Sequence, residues 1–387
     1  MKNKKDTFSS LSDELQFLIA CCQHNLSKVE IAFIQSLMTN DPSQIAVASQ
    51  HGILPLVYKC IKQQCPTKNI QHWQSAYQQI AHRNMLMTSE LIKIIHLLQE
   101  NNIQALSFKG PTLSQNAYGD ITLRQYGDID ILIQAKDRSR MVARMKTHGY
   151  IPEIALKKET EETFFHCVNV LGFHHPRAMV HVEIHWALLS KNYAIRWDEA
   201  TLWAQTSQCT IGQHTLPTLT PEALLLYLCT HSAKHLFERL EWICDIERSI
   251  RTYSTLNWEY LILEAEKMGI TRILFIGLSL TQALFPLKLP HAVEKLYTHD
   301  TIVSKLTEKI IRMQFCNVGS KEKSHHSFFL LLAMRENLSD KLRFTYRALF
   351  SPKYDDFVFI QLPKKFSFLY LFIRPYRLIK KYYLTQK

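Results

Sequence analysis

Residues 103–133 read IQALSFKGPTLSQNAYGDITLRQYGDIDILI, and this stretch decides the fold. Ile103–Phe108 predicts a short strand closed by Lys109-Gly110-Pro111, after which Thr112–Tyr118 turns helically, because proline suits a first helical turn. Asp128–Ile133 predicts a second strand. Its side chains alternate, so Asp128 and Asp130 share one face and Ile129, Ile131 and Ile133 take the other. A glycine between strand and helix exposes backbone N–H groups and a helix N-terminus, a setting suited to phosphate. Gly110 sits at that junction, and Lys109 and Arg124 can add positive charge beside it.

Working outward, Arg83–Leu98 predicts a helix with an apolar stripe through Met87, Leu91, Ile94, Ile95 and Leu98, ending at Asn101-Asn102. Apolar positions recur at helical spacing from Leu11 to about Glu100. Downstream, Arg138–His148 predicts a helix and Phe165–Leu171 a strand. Val180–Trp186 (VHVEIHW) predicts another strand, with His181, Glu183 and His185 on one face. Thr220-Pro221 then opens a helical region: Glu222–Phe237, Leu240–Tyr253, Trp258–Met268 and Thr271–Ala283. These readings divide the chain into an N-terminal helical region (1–100), an α/β core (101–219), a helical region expected to close a substrate cleft (220–339) and a basic aromatic segment (340–387).

The 387 residues exceed the usual domain size, so two or three subdomains are expected, and 47% hydrophobic against 21% charged residues excludes a disordered or low-complexity chain. A formal net charge of +12 favours anionic partners. Most of it lies in residues 340–387, which hold 11 Lys or Arg against 3 Asp and 13 Phe or Tyr. The nine cysteines are scattered without paired CxxC spacing, and MKNKKDTFSS is followed by no apolar run, so reduced thiols and a cytoplasmic location are expected. The longest apolar stretches, near Ile273–Leu280, Phe328–Met334 and Phe366–Ile373, fall short of the ~20 residues that cross a bilayer.

Phosphoryl and nucleotidyl transfer need divalent cations held by hard oxygen ligands. A D-x-D on one strand face supplies two such ligands, and Glu183 on a neighbouring strand is the third candidate; clustered carboxylates would otherwise repel one another. The expected metal ligands are therefore Asp128, Asp130 and Glu183, with Mg²⁺ the expected ion and Mn²⁺ an alternative. His181 and His185 flank Glu183, yet the spacing is not the helical H-E-x-x-H of a zinc site and no cysteine pair accompanies it. His231 and His235 stand at i, i+4 near Lys234 and Arg239, a spacing that permits metal ligation but is expected rather to line a substrate groove or hydrogen-bond within the helical core. Trp186 and Trp242 read as core residues. The segment Lys364–Lys381 mixes aromatic and basic residues, and suits either ordinary packing with a solvated basic edge or an anionic membrane surface or nucleic acid.

The chain resembles the uncharacterised nucleotidyltransferase family of the DNA polymerase β-like superfamily. The resemblance runs through Ile53-Leu54-Pro55-Leu56, Phe108-Lys109-Gly110-Pro111, Tyr118-Gly119-Asp120, Arg124 and Gly127-Asp128-Ile129-Asp130-Ile131-Leu132. It continues through Glu183-Ile184-His185-Trp186, His231, Lys234-His235, Arg239-Leu240, Trp242, Asp245 and Arg374-Pro375-Tyr376-Arg377-Leu378. It implies an α+β fold, a small mixed sheet of polymerase β-like type flanked by N-terminal and C-terminal helical regions. It also implies Mg²⁺-dependent transfer of a nucleoside monophosphate from an NTP, with release of pyrophosphate, to an acceptor such as a sugar, metabolite, protein or RNA end. The expected roles are catalytic for Asp128, Asp130 and Glu183 and nucleotide-binding for Lys109, Gly110 and Arg124, with His185, His231, Lys234, His235, Arg239 and Asp245 as substrate-groove candidates. Two departures stand out: Pro111 follows Gly110 where the superfamily has glycine or serine, removing one backbone donor, and Glu183 replaces the commoner aspartate. A catalytically degenerate nucleotide-binding sensor or scaffold is the alternative these departures allow.

Overall fold

The computed structural model describes residues 11–316 and 323–380; residues 1–10 and 381–387, Lys381 of the basic tail among them, lie outside these. Five helices come first: Asp13–Cys22, Lys28–Leu37, Pro42–Gln50, Leu54–Gln64 and the 30-residue Gln71–Glu100. Ser12, Ser27 and Asp41 cap the first three through their side-chain oxygens, satisfying N–H groups that a helix start leaves unpaired. The long helix buries the stripe Met87, Leu91, Ile94, Ile95 and Leu98.

A five-stranded sheet follows, with β1 Ala105–Ser107, β2 Ile129–Ile133, β3 Ile151–Pro152, β4 Val170–His175 and β5 Val180–His185 in the order β1-β2-β5-β4-β3. Only β2 and β5 run parallel, and their register sets Asp130 opposite Glu183 and Leu132 opposite His185. Ile129, Ile131 and Ile133 join Val182, Ile184, Met141, Met145 and the stripe of the long helix in one core. On the other face Leu106, Phe108 and Leu132 join a second core with residues of the helices Pro221–Lys234, Leu240–Thr252 and Thr271–Leu284. Each fully buried Leu, Ile or Phe adds about 1.5–3 kcal/mol, so both sheet faces are held firmly. Asp128 and Asp130 belong to the alternation that faces the second core, beneath the C-terminal helices. This is the α+β fold class expected, a small mixed sheet flanked by helices.

Three local readings differ. Phe165 lies in the last turn of the helix Lys158–Cys167, which buries Thr160, Thr163, Phe164 and Phe165, and the strand begins only at Val170. Between the sheet and the C-terminal helices lie a helix, Glu199–Ala204, and a hairpin, β6 Thr206–Ile211 with β7 His214–Leu219, turned by Gly212 at φ +60°. The helix read as Glu222–Phe237 stops at Lys234, because Leu236 and Phe237 both adopt left-handed φ. Side chains rarely take that conformation, and here it is held by burial of Phe237 and by its N–H donating to Ser232 O at 2.8 Å.

One buried ion pair ties the sheet region to the C-terminal helices. Arg124 Nε and Nη2 donate to Asp245 Oδ1 and Oδ2, both at 2.9 Å, and the Tyr118 hydroxyl donates to Oδ1 at 2.7 Å. Both ions are buried, so neither finds solvent if its partner is lost. Asp245→Ala is therefore expected to lower the unfolding free energy by about 3–5 kcal/mol, measured by urea denaturation. A loss under about 1 kcal/mol would show the pair to be dispensable.

Candidate active site

Gly110 starts the helix Gly110–Tyr118 at φ +52°, a conformation glycine adopts without strain. A Cβ there would stand 3.6 Å from the carbonyl oxygen of Asp128, so the helix start lies against the acidic strand. No side chain caps this helix, and Pro111 occupies its first turn.

The strand register brings the acidic groups together. Donor atoms of Asp128, His181 and Glu183 lie within 4.8 Å of one another, as do those of Asp130, Glu183 and His185, so Glu183 is common to both sets. His185 Nε2 lies 3.1 Å from Asp130 Oδ1 and 3.2 Å from Glu183 Oε2, and its buried Nδ1 has no partner. Lys109 Nζ is 3.7 Å from Asp130 Oδ2 and 5.5 Å from the Tyr227 ring centroid. His181 leans outward to Glu153 Oε1 at 2.8 Å.

These neighbours separate the carboxyls electrostatically. Burial and then the charge of Asp130 push Asp128 up to about 6, against the pull of Lys109. Burial would also raise Asp130, but Lys109 and the hydrogen bond from His185 outweigh it and hold that carboxyl well below the usual range. The His185 hydrogen bond holds Glu183 down despite burial. Burial would strip the proton from His185, yet its two carboxylate partners keep its pKa raised. Lys109, desolvated but beside Asp130, is held above its ordinary value. Two trios of hard oxygen and imidazole donors that share one carboxylate fit a pair of divalent cations, and neither trio includes a cysteine.

Beside Asp128 and Asp130 opens a cavity of about 390 Å³, lined by Lys109, Arg83, His231, His235, Arg239 and Trp242 among others. Burial, followed by the charge of Lys109, lowers His231 well below its ordinary pKa, and burial with Lys234 brings His235 to about 4. Both imidazoles are therefore neutral near pH 7. They pack on Trp242, with ring centroids 5.5 and 5.1 Å away, and Arg239 lies 5.8 Å from the same ring. Trp186 is core, as read; Trp242 is mostly buried but also lines the cavity.

The structure separates the remaining expected residues. Arg124 borders the cavity, but its guanidinium is committed to Asp245 rather than free for a phosphate. Asp245 is wholly buried in that pair and stands outside the groove expected to hold it. His185 clamps two carboxylates rather than lining the groove. Lys234 lies 5.8 Å from the Tyr193 ring. Lys353 approaches the same ring at 5.7 Å, and burial with the charges of Arg374 and Lys234 lowers its pKa to about 8. Sequence reading passed over Arg83, Tyr193 and Lys353. Arg83 stands at the start of the recognised apolar-stripe helix, whereas nothing local marks Lys353, which lies 170 positions after Glu183.

An acidic face shared by two strands thus lies beside a glycine-started helix, and the comparison with known families supplies the class. Residues 39–286 match the family described as uncharacterised nucleotidyltransferase, nearly two thirds of the chain, and the chain belongs to that family. Among solved structures it is similar to the lincosamide antibiotic adenylyltransferase LnuA bound to lincomycin, at 16% identity and a TM-score of 0.26 over 36% of this chain and 83% of that one. No curated protein matches the chain. The protein is thus a nucleotidyltransferase enzyme.

The separation of the carboxyls is measurable. In chelator-treated protein the carboxyl ¹³C shift of Asp128 is expected to titrate near 6. Since the Lys109 charge favours the carboxylate, Lys109→Met is expected to move that midpoint higher. An ordinary midpoint near ~4 in both proteins would contradict this electrostatic assignment.

Proposed function

We propose that the enzyme transfers a nucleoside monophosphate from an NTP to an acceptor hydroxyl, with release of pyrophosphate, at Asp128, Asp130 and Glu183. The observation that carries this reading is the parallel pairing that sets Asp130 against Glu183, with Asp128 two residues away beside the Gly110 helix start. Mg²⁺ or Mn²⁺ held by these three carboxylates would neutralise charge developing on the leaving pyrophosphate. The N–H groups at the start of the helix Gly110–Tyr118, together with Lys109, receive the triphosphate, and Arg83 and Arg239 add positive charge along the cavity. Neutral His231 and His235 bind without adding charge, with Trp242 behind them. Glu183 orients the acceptor hydroxyl, and the helices Pro221–Lys234 and Leu240–Thr252 close the cleft.

Lys234 and Lys353 flank Tyr193 with no carboxylate within ion-pairing distance among the described residues, and Lys234 lies close enough to sense the charges of Glu183 and Asp130. They suit a negatively charged group on the acceptor, whether this is a sugar, a metabolite, a protein or an RNA end. No described helix is long and apolar enough to cross a membrane, and all nine cysteines are free thiols. Both agree with work in the cytoplasm, where NTP is available.

A second reading, a degenerate nucleotide-binding sensor or scaffold, is favoured by the missing N–H of Pro111 and by the approach of Lys109 to Asp130. One experiment separates the two. With α-labelled NTP, Mg²⁺ and a cell extract, the wild type is expected to label an acceptor. Asp128→Asn and Asp130→Asn are each expected to lower this by about a hundredfold or more while circular dichroism shows the fold retained. Nucleotide binding by calorimetry without label transfer by the wild type would favour the sensor, and equal transfer by variants and wild type would reject the assigned site.

A further inference from the structure

The C-terminal segment is folded inside out relative to an ordinary surface helix. In the helix Tyr370–Ile379 the residues turned inward are Tyr370 and Arg374, whose guanidinium Nη1 donates to Asp356 Oδ2 and Nε to Ala348 O, both at 3.2 Å. Arg377 turns toward Asp356 as well. Phe372, Tyr376 and Ile379, at i, i+4 and i+7, face solvent, each more than half exposed. The adjoining helix Leu338–Phe350 repeats the pattern: Phe344 is buried, while Leu338, Leu342 and Tyr346 form a second outward stripe, again more than half exposed. Phe366 and Phe368 add two more exposed rings in the preceding turn, with Lys365 Nζ 4.9 Å from the Phe366 ring centroid. The two helices pack on one another, and soluble proteins rarely leave this many large apolar side chains exposed on neighbouring helices without an occupant.

Charge identifies the occupant. Residues 338–380 hold nine Lys or Arg against three Asp; Arg343, Arg374 and Arg377 meet the three acids, Lys364 pairs with Glu162 and Lys353 turns to Tyr193, so what remains on the face is still more positive than negative. A second copy would set the same positive excess against itself. Nucleic acid would be met by outward leucines, isoleucine and aromatic rings, while the arginines of the last helix point inward. We propose that this face lies on an anionic lipid surface, its rings and aliphatic side chains entering the headgroup boundary and its lysines meeting the lipid phosphates. The face is built by residues outside the stretch 39–286 that matches the family. This inference does not depend on which reaction the transferase site performs.

Sedimentation of the full chain with vesicles tests it. Wild type is expected to sediment with phosphatidylcholine vesicles containing about 30% phosphatidylserine, less with phosphatidylcholine alone, and less as salt is raised. Phe372→Ser combined with Tyr376→Ser and Ile379→Ser is expected to weaken vesicle binding about tenfold or more, with unchanged circular dichroism and unchanged NTP binding. Lys365→Glu, a surface change that leaves the apolar stripe in place, is expected to weaken binding to the anionic vesicles only. Wild type remaining in the supernatant, or the triple variant sedimenting as wild type does, would overturn the proposal. So would a stable dimer that the triple variant dissolves, or binding to RNA or DNA in preference to the vesicles.

Discussion

Three carboxyl groups crowded onto one sheet face repel one another, and everything else at this site answers that repulsion. The parallel pairing of β2 with β5 forces Asp130 and Glu183 side by side, and the two-residue strand period adds Asp128. His185, two residues beyond Glu183 on the same face, bridges two of the carboxylates, and Lys109 adds a buried positive charge. The result is uneven: Asp130 and Glu183 are held ionised, while Asp128 holds its proton to about 6. A divalent cation would answer the same repulsion more completely, so the protein's own cations stand where bound metal charge would be most welcome.

The site is rigid because its support is buried on both sides. The isoleucines of β2 lock one face onto the long helix Gln71–Glu100, and Leu106, Phe108 and Leu132 lock the other onto the C-terminal helices. Arg124 and Asp245 join these layers by a charged fork across 121 positions of sequence. The left-handed turn at Leu236 and Phe237 then carries the chain from His235 to Arg239, placing both at the same cavity. The strain of that turn falls at the site, where fixed side-chain positions matter most.

Much of this was legible in residues 103–133 and 180–186, because period two fixes which side chains share a face, and the glycine turn marks where a helix begins. The convergence of Asp128, Asp130 and Glu183 follows from two local patterns and one parallel pairing. Local patterns failed where the signal was mixed. Phe164 and Phe165 suit a strand by composition, but their spacing from Thr160 buries them on a helix. The β6–β7 hairpin, rich in Thr, Ser and Gln, lacks an apolar alternation strong enough to show. Long-range partners left no trace at all: Arg124 reads as a phosphate ligand until Asp245 is seen against it, and Lys353 reaches Tyr193 only through the fold of the C-terminal segment.

The direct measurement is a crystal structure with Mn²⁺ and a non-hydrolysable NTP, with the metal located by its anomalous signal. Expected is an Mn²⁺ peak on the Glu183 carboxylate shared with Asp128 or Asp130, the triphosphate at the Gly110 helix start and Lys109 drawn off Asp130 toward it. A bound nucleotide with no metal at these carboxylates, and Lys109 and His185 still closed on Asp130, would contradict it.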